Sequence, residues 1–195
     1  MEWTAGVIIN SITALFMVAW GAYERISAIM KGRRHAAAED RDRNSLVIFY
    51  VTIFFGYGVG IPIAFTGYGK ITVFFPYLSF IGFAIIFAGL MIRLAAIRSL
   101  AEHFTYTVRI VDDHSLVTSG IYRHVRHPAY LGQAMIFLGC GLAFSNWISI
   151  LALFIPTLVA AYYRIFVEEK VLVEHFGEDY REYMGRTKRL VPWVY

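Results

Sequence analysis

Residues 129–166 read AYLGQAMIFLGCGLAF-SN-WISILALFIPTLVAAYYRIF, two long apolar runs separated by two polar residues. Both runs, Ala129 to Phe144 and Trp147 to Phe166, have the composition of membrane-embedded helices. The Ser145-Asn146 pair between them is typical of a tight turn. The stretch therefore predicts a helical hairpin. Because its first arm is shorter than the about 20 residues that a span needs, we expect that arm to begin at Pro128 or to lean against other helices.

The composition indicates a membrane protein. The chain is 58% hydrophobic and 16% charged, whereas soluble domains are about 45–50% apolar and about 25% charged. The single cysteine, Cys140, excludes an intrachain disulfide and a cysteine-based metal cluster. The six histidines lack a metal-binding spacing, and a net charge of +4 is too small to indicate a nucleic-acid partner. No cleavable signal peptide is expected, because no small-residue cleavage site follows the first apolar run.

Three more apolar segments precede the hairpin, at about 3–23, 46–65 and 71–97. Together with the hairpin they predict an all-α, polytopic integral membrane protein with about five transmembrane helices. We expect an interfacial helix from Val167 to Met184, broken at Gly177. No linker divides the chain, so we expect one membrane-embedded domain over residues 1–195. Residues 1–100 would hold the N-terminal spans, and residues 101–195 a polar loop, the hairpin and the C-terminal helix.

Two of these spans carry small residues at spacings that favour close helix packing. They are Gly56, Gly58 and Gly60 in the second span, and Gly82, Ala84, Ala88 and Gly89 in the third.

The basic residues predict the orientation of the chain. In the five-span arrangement, 17 of the 18 Lys and Arg residues lie on one side and only Lys70 on the other. Basic loops favour the cytoplasm, which places the N-terminus outside and the C-terminus inside. The two polar clusters of the chain, His114–Tyr130 and Arg164–His175, then share the cytoplasmic face, and we expect the active site there.

The first polar cluster, residues 114–130, reads HSLVTSGIYRHVRHPAY. Proline is well tolerated in the first turn of a helix, so His127-Pro128 predicts the start of the fourth helix. The free amides at a helix start favour an anionic group such as a carboxylate. The alternative interpretation is that Arg126 merely flanks a membrane helix that Pro128 begins.

The second cluster lies where the fifth span ends. At about 100° per residue, Arg164, Glu168 and His175 share one helix face, whereas Glu169 points well away. An arginine at the apolar end of a span must snorkel, pair or bind something. A simple ion pair between Arg164 and Glu168 is the alternative to a binding role. Arg93 and Arg98, at the end of the third span, are interpreted as positively charged flanks.

Taken together, these residues resemble the isoprenylcysteine carboxyl methyltransferase family of integral membrane enzymes. The resemblance covers roughly the last 90 residues, and the chain is similar to the short prokaryotic type of member. The matching residues are HSLVTSGIY at 114–122, RHPAY at 126–130, Arg164 with Glu168-Glu169, FGEDY at 176–180, and Tyr183.

The resemblance implies S-adenosylmethionine as cofactor and a lipophilic, prenylated or lipid-like substrate among membrane lipids. It implies that Arg164 contacts the substrate and that Arg164 and Glu168 are the catalytic pair. The implied cofactor pocket comprises His114, Ser115, Leu116, Val117, Tyr122, His127, Pro128, Ala129, Tyr130 and Glu168.

The implied reaction is carboxyl O-methylation of a prenylcysteine-like substrate. It needs no general base, because a carboxylate is already ionised, and orientation alone is worth about 7–11 kcal/mol. One alternative is N-methylation of a phospholipid amine such as phosphatidylethanolamine, which needs a base, and His175 is the candidate. Others are a non-enzymatic membrane binding or transport subunit, and an NADPH-dependent reductase of the sterol type.

Overall fold

A computed structural model describes residues 2–34, 43–100 and 116–191, and this part of the chain is helical, without a strand. A four-residue 3-10 helix, Gly120–Arg123, precedes the hairpin. The α-helices are α1 (Glu2–Arg34), α2 (Arg43–Ala64), α3 (Tyr77–Leu100), α4 (Pro128–Ala143), α5 (Trp147–Phe176) and α6 (Glu178–Arg186).

The predicted hairpin is confirmed as α4 and α5. Asn146 caps α5, because its side-chain Oδ1 accepts hydrogen bonds from the amides of Ile148 and Ser149 at 3.0 and 3.1 Å. Its Nδ2 donates to the carbonyl of Tyr68 at 2.7 Å, which joins the turn to the loop before α3. Ser145 adopts a left-handed φ of 47°. These contacts explain why two polar residues suffice to reverse the chain.

Each of the five predicted apolar segments is a helix, but several predicted boundaries were wrong. The helix α1 runs on to Arg34, because its charged end keeps good helix formers after the apolar run stops. The helix α3 begins only at Tyr77. The helix α5 continues to Phe176, so the predicted interfacial helix is divided between the end of α5 and α6. The predicted break at Gly177 is confirmed, with a φ of 57°.

Among the described residues, three helices are long and apolar enough to cross a membrane by length and composition, and two apolar helices are shorter. The three spans are Thr4–Met30, Tyr77–Leu100 and Trp147–Phe176, and the shorter apolar helices are Tyr50–Ala64 and Pro128–Ala143.

Glycines set the spacing between α3 and α4. A Cβ added at Gly89 would lie 2.7 Å from the carbonyl oxygen of Gly132, and one added at Gly139 would lie 2.7 Å from that of Gly82. The two backbones therefore touch, as the small residues of the third span predicted. Ala84 is exposed and does not belong to this face.

A second close contact joins α2 to α5. Added Cβ atoms at Gly56 and Gly60 would meet the Ala152 carbonyl oxygen at 2.8 Å and the Leu153 side chain at 2.7 Å. Gly58 faces open space, so its predicted part in this packing was wrong. Each helix of the hairpin therefore packs against one earlier helix: α4 against α3, and α5 against α2. The hairpin turn between α4 and α5 connects these two helix pairs.

Candidate active site

The start of α4 is built from the residues that the sequence singled out. Pro128 occupies the first turn and His127 the N-cap position, as predicted. The amides of Tyr130 and Leu131 donate to the His127 carbonyl at 3.1 and 3.2 Å. His127, Pro128 and Ala129 are buried, and Tyr130 is half-buried. The predicted cofactor-binding turn is therefore a compact, largely desolvated element.

Tyr130 connects the two polar clusters. Its hydroxyl oxygen accepts a hydrogen bond from Nε of Arg164 at 3.0 Å, and the same hydroxyl donates to Oε2 of Glu168 at 3.0 Å. Arg164 is 4% exposed although it carries a full charge. Arg164 and Glu168 thus share the face that helical periodicity predicted. The structure adds the phenol of α4 as the group that lies between them.

Glu169 is the residue whose importance the sequence reasoning missed. It does point away from Arg164, as expected, but it points toward the start of α4. Its Oε1 accepts from Nε of Arg126 at 2.9 Å and lies 3.3 Å from Nε2 of His127. Its Oε2 accepts from Nε of Arg189 at 2.9 Å. The only sequence signal was the second carboxylate of the Glu-Glu pair, which offered no hint of its partners.

The segment after α6 lies against the segment before α4, and we call residues 187–191 the C-terminal strap. The amides of Arg126 and His127 donate to the carbonyls of Lys188 and Arg189 at 2.8 and 3.0 Å. The Arg126 guanidinium donates to the carbonyl of Thr187. The basic and aromatic groups of the tail suit a lipid headgroup layer, and this interpretation of the sequence stays a prediction. Residues 192–195, with the remaining aromatic groups of that interpretation, lie outside the described residues.

Tyr122 anchors the other side of the loop. Its ring is buried beside Ala96 and Ala129, with Val117 packed against the cluster. Burial raises the pKa of the Tyr122 hydroxyl well above its usual range, so the group stays neutral. The Tyr183 hydroxyl of α6 donates to the Tyr122 carbonyl at 2.6 Å, and burial raises the pKa of Tyr183 to about 12.

Two of the remaining predicted cofactor residues lie within the described part of the chain and two do not. Leu116 and Val117 are half-buried at the beginning of the described loop. His114 and Ser115 lie outside the described residues.

Arg93, interpreted from the sequence as a positively charged flank of the third span, makes buried contacts that the sequence did not predict. It is 4% exposed, and its guanidinium binds both carboxylate oxygens of Glu24 in α1. Its third nitrogen donates to the carbonyl of Ala129 at 2.8 Å, in the first turn of α4. Arg93, in α3, therefore links α1 and α4 through hydrogen bonds next to the predicted cofactor-binding turn.

His175, the candidate base for an amine acceptor, is exposed and has an edge-on ring contact with Phe176. It shares a helix face with Arg164, yet 11 residues of α5 separate them, which is about 16 Å along the axis. Arg164 and Glu168, by contrast, are one turn of α5 apart, and the Tyr130 hydroxyl of α4 bonds to both. The histidine therefore lies well away from the predicted site of chemistry.

One buried acceptor near Tyr130 has no donor. Gln133 follows Tyr130 by three residues, on the neighbouring part of the same helix face. It is 4% exposed, and its Oε1 has no hydrogen-bond partner among the described residues. A buried oxygen without a donor favours a ligand that brings N–H groups or positive charge.

The family model described as phospholipid methyltransferase matches residues 77–179, more than half of the chain. The chain belongs to the phospholipid methyltransferase family. Membership of a methyltransferase family implies a methyl donor.

Within that family, the chain is similar to protein-S-isoprenylcysteine O-methyltransferases. It is 34% identical over 130 residues to form B of Arabidopsis thaliana, covering 63% of this chain and 66% of the relative. It is 30% identical over 131 residues to the enzyme of Tribolium castaneum, covering 63% and 47%. A probable enzyme of Oryza sativa subsp. japonica is 31% identical over 120 residues, covering 60% and 63%. The chain thus spans less than two thirds of the length of these relatives.

A solved structure shows the same likeness. The structure of a eukaryotic intramembrane Ras methyltransferase, isoprenylcysteine carboxyl methyltransferase, superposes with a TM-score of 0.58 at 27% identity. It covers 77% of this chain and 50% of the other. These comparisons confirm the family resemblance drawn from the sequence motifs, and with the apolar helices they establish an all-α integral membrane protein.

Proposed function

We propose that the chain is an S-adenosylmethionine-dependent methyltransferase that acts on the carboxylate of a prenylcysteine-like, lipophilic substrate. The observation that carries the proposal is the hydrogen-bonded series Arg164–Tyr130–Glu168 beside the start of α4. It combines a buried cation and a carboxylate one turn apart on α5 with a phenol from α4 that bonds to both. The names of the relatives support the same acceptor.

The residues fit the proposed cofactor. Glu168 offers a carboxylate for an ammonium group, and the first turn of α4 offers the positive end of a helix for a carboxylate. The unpaired Oε1 of Gln133 adds a buried acceptor for a cationic ligand. The sequence-predicted pocket of residues 114–117, Tyr122 and 127–130 belongs to this proposal, as does a single membrane-embedded domain over residues 1–195. When bound, S-adenosylmethionine supplies a methyl group on a positively charged sulfur.

Arg164 and Glu168 have separate tasks in this mechanism. Arg164 holds the acceptor carboxylate through its planar guanidinium, which suits a two-oxygen anion. Glu168 holds the ammonium of the cofactor. The Tyr130 hydroxyl bonds to both side chains and so fixes their relative positions. Since the nucleophile is already ionised, the protein contributes alignment and the exclusion of water rather than a base.

The location of the site suits a substrate with a lipid tail. Arg164 lies toward the end of the candidate span formed by α5, where a polar head meets the edge of the apolar layer. The basic residues favour the cytoplasmic side for this edge, with the N-terminus outside and the C-terminus inside. A prenyl tail can then remain among lipids while the carboxylate reaches Arg164.

A phospholipid amine is the second candidate acceptor, because the family model carries that description. N-methylation of an ammonium needs a base, and the exposed His175 lies about 16 Å along α5 from Arg164. The geometry therefore favours the carboxylate.

The test is methyl transfer from labelled S-adenosylmethionine in nanodiscs, with S-farnesylcysteine or phosphatidylethanolamine as acceptor. We expect label on the farnesylcysteine carboxyl as a base-labile ester. Arg164→Gln should abolish this transfer while binding S-adenosylhomocysteine nearly as well as the wild type. His175→Ala serves as the control and should keep full activity. Absence of cofactor binding to the wild type would overturn the proposal. Methyl transfer to phosphatidylethanolamine alone would show that the acceptor is the amine and not the carboxylate.

A further inference from the structure

Glu169 stands at the meeting point of two segments that are distant in sequence. Arg126 and His127 come from the turn before α4, and Arg189 comes from the C-terminal strap. All three direct nitrogen atoms at the Glu169 carboxylate, at 2.9, 3.3 and 2.9 Å. The side chains of Glu169 and Arg126 are 6% and 7% exposed and that of Arg189 is 30% exposed, so water reaches the cluster mainly from the side of Arg189.

The acceptor capacity of Glu169 is largely committed to protein donors. Its Oε1 is shared by Arg126 and His127, and its Oε2 is bonded to Arg189. Glu168, one residue earlier, is half-buried, and its Oε2 accepts a hydrogen bond from the Tyr130 hydroxyl at 3.0 Å. The two neighbouring carboxylates therefore have different surroundings. Glu168 faces Tyr130 and the candidate cofactor site, whereas Glu169 faces Arg126, His127 and Arg189.

Without the Glu169 charge, two guanidinium groups would remain close together at the base of the turn. The strap also hydrogen-bonds the amides of Arg126 and His127. Repulsion between Arg126 and Arg189 would therefore act directly on the backbone that leads into Pro128. Removal of one partner from a buried charge cluster is costly, because it leaves the others uncompensated.

We propose that Glu169 is a positioning residue that holds the His127-Pro128 turn in its cofactor-binding position by clamping Arg126, His127 and Arg189 around one carboxylate. This inference rests on the proposed function, since it assumes that the turn binds the cofactor. On this inference the C-terminal strap contributes to cofactor binding indirectly, by holding the turn in place, and does not itself contact the cofactor.

The first measurement is binding of S-adenosylhomocysteine, and of its analogue lacking the α-amino group, to the full chain in detergent. The wild type should prefer the amino-bearing ligand. Glu168→Gln should abolish that preference. Glu169→Gln should lower the affinity for both ligands by about tenfold or more and leave the preference intact, because a displaced turn affects the binding of each ligand alike. Loss of the preference in Glu169→Gln would identify a direct contact and overturn the proposal.

The second measurement is a double substitution. Arg189→Gln in the Glu169→Gln background should recover part of the lost affinity, because it removes one of the two like charges that the Glu169 carboxylate holds together. Independent, multiplicative losses would contradict the clamp. Glu178→Gln with Arg181→Gln, an exposed ion pair on α6, is the matched control and should change nothing. Unaltered affinity in Glu169→Gln also overturns the inference, whereas failure of the wild type to bind either ligand overturns the proposed function itself.

Discussion

Arg93 of α3 holds Glu24 of α1 through two hydrogen bonds, with Nε to Oε1 at 2.8 Å and Nη2 to Oε2 at 2.6 Å. Both side chains are largely buried, at 5% and 12% exposure. The remaining terminal nitrogen of Arg93 reaches the Ala129 carbonyl. The pair therefore links the N-terminal helix to the beginning of the candidate site.

The first prediction concerns this pair. Glu24→Leu should lower the free energy of unfolding by about 3–5 kcal/mol, because it removes the carboxylate that binds both Nε and Nη2 of the buried Arg93. Glu24→Leu combined with Arg93→Met should be more stable than Glu24→Leu alone, since the stranded charge is gone. Thermal unfolding in one detergent compares the three proteins. A double variant less stable than the single one would show that the contact of Arg93 with the Ala129 carbonyl stabilises the protein more than burial of the Arg93 charge without Glu24 destabilises it.

The second prediction concerns the Tyr130 hydroxyl. Tyr130→Phe keeps the ring but removes the group that bonds Arg164 and Glu168, so both lose their fixed relative position. We expect kcat/KM for the carboxylate acceptor to fall by about 10–100-fold, with one or two charged hydrogen bonds lost. Tyr163→Phe, an exposed tyrosine on α5, is the control. Equal values of kcat/KM for the two variants would show that the Tyr130 hydroxyl does not contribute to the reaction.

The third prediction compares two glycines within helices. Gly89→Ala should destabilise the protein by about 1–3 kcal/mol, because the added Cβ lies 2.7 Å from the Gly132 carbonyl oxygen. Gly58→Ala is the same substitution in open space and should be neutral or stabilising, since alanine is the better helix former. Unfolding midpoints in detergent measure the difference. Similar midpoints would contradict the close α3–α4 contact.

The fourth prediction separates the two roles of Asn146. Asn146→Asp keeps the oxygen that caps α5 but loses the donor to the Tyr68 carbonyl, whereas Asn146→Ala loses both. Loss of the cap costs about 0.5–2 kcal/mol, so the alanine variant should be less stable than the aspartate variant. Chemical unfolding of both variants tests the order. The reverse order would mean that the buried aspartate charge costs more than the cap contributes.

Local sequence signals predicted the features that depend on near neighbours in the chain. Ser145-Asn146 marked the turn, Pro128 the start of α4, and Gly177 the break before α6. Helical periodicity was enough to place Arg164 and Glu168 on one face. Each of these follows from backbone preferences or from residues within one or two turns.

The contacts that the sequence did not predict join residues distant in sequence. Arg93 pairs across 69 positions with Glu24, and Glu169 pairs across 43 with Arg126. Periodicity reports which way a side chain points, and it says nothing of what lies opposite. Hydropathy likewise ended the first segment where the apolar residues stop, although the α1 backbone remains helical to Arg34.

The strap has a consequence for the order in which the protein matures. The turn before α4 is fixed by carbonyls of Lys188 and Arg189, about 60 residues further along the chain. A nascent chain can insert its helices and form the hairpin while this turn still lacks its partners. The turn at the candidate site therefore lacks two of its backbone partners until residues 188 and 189 have been synthesised.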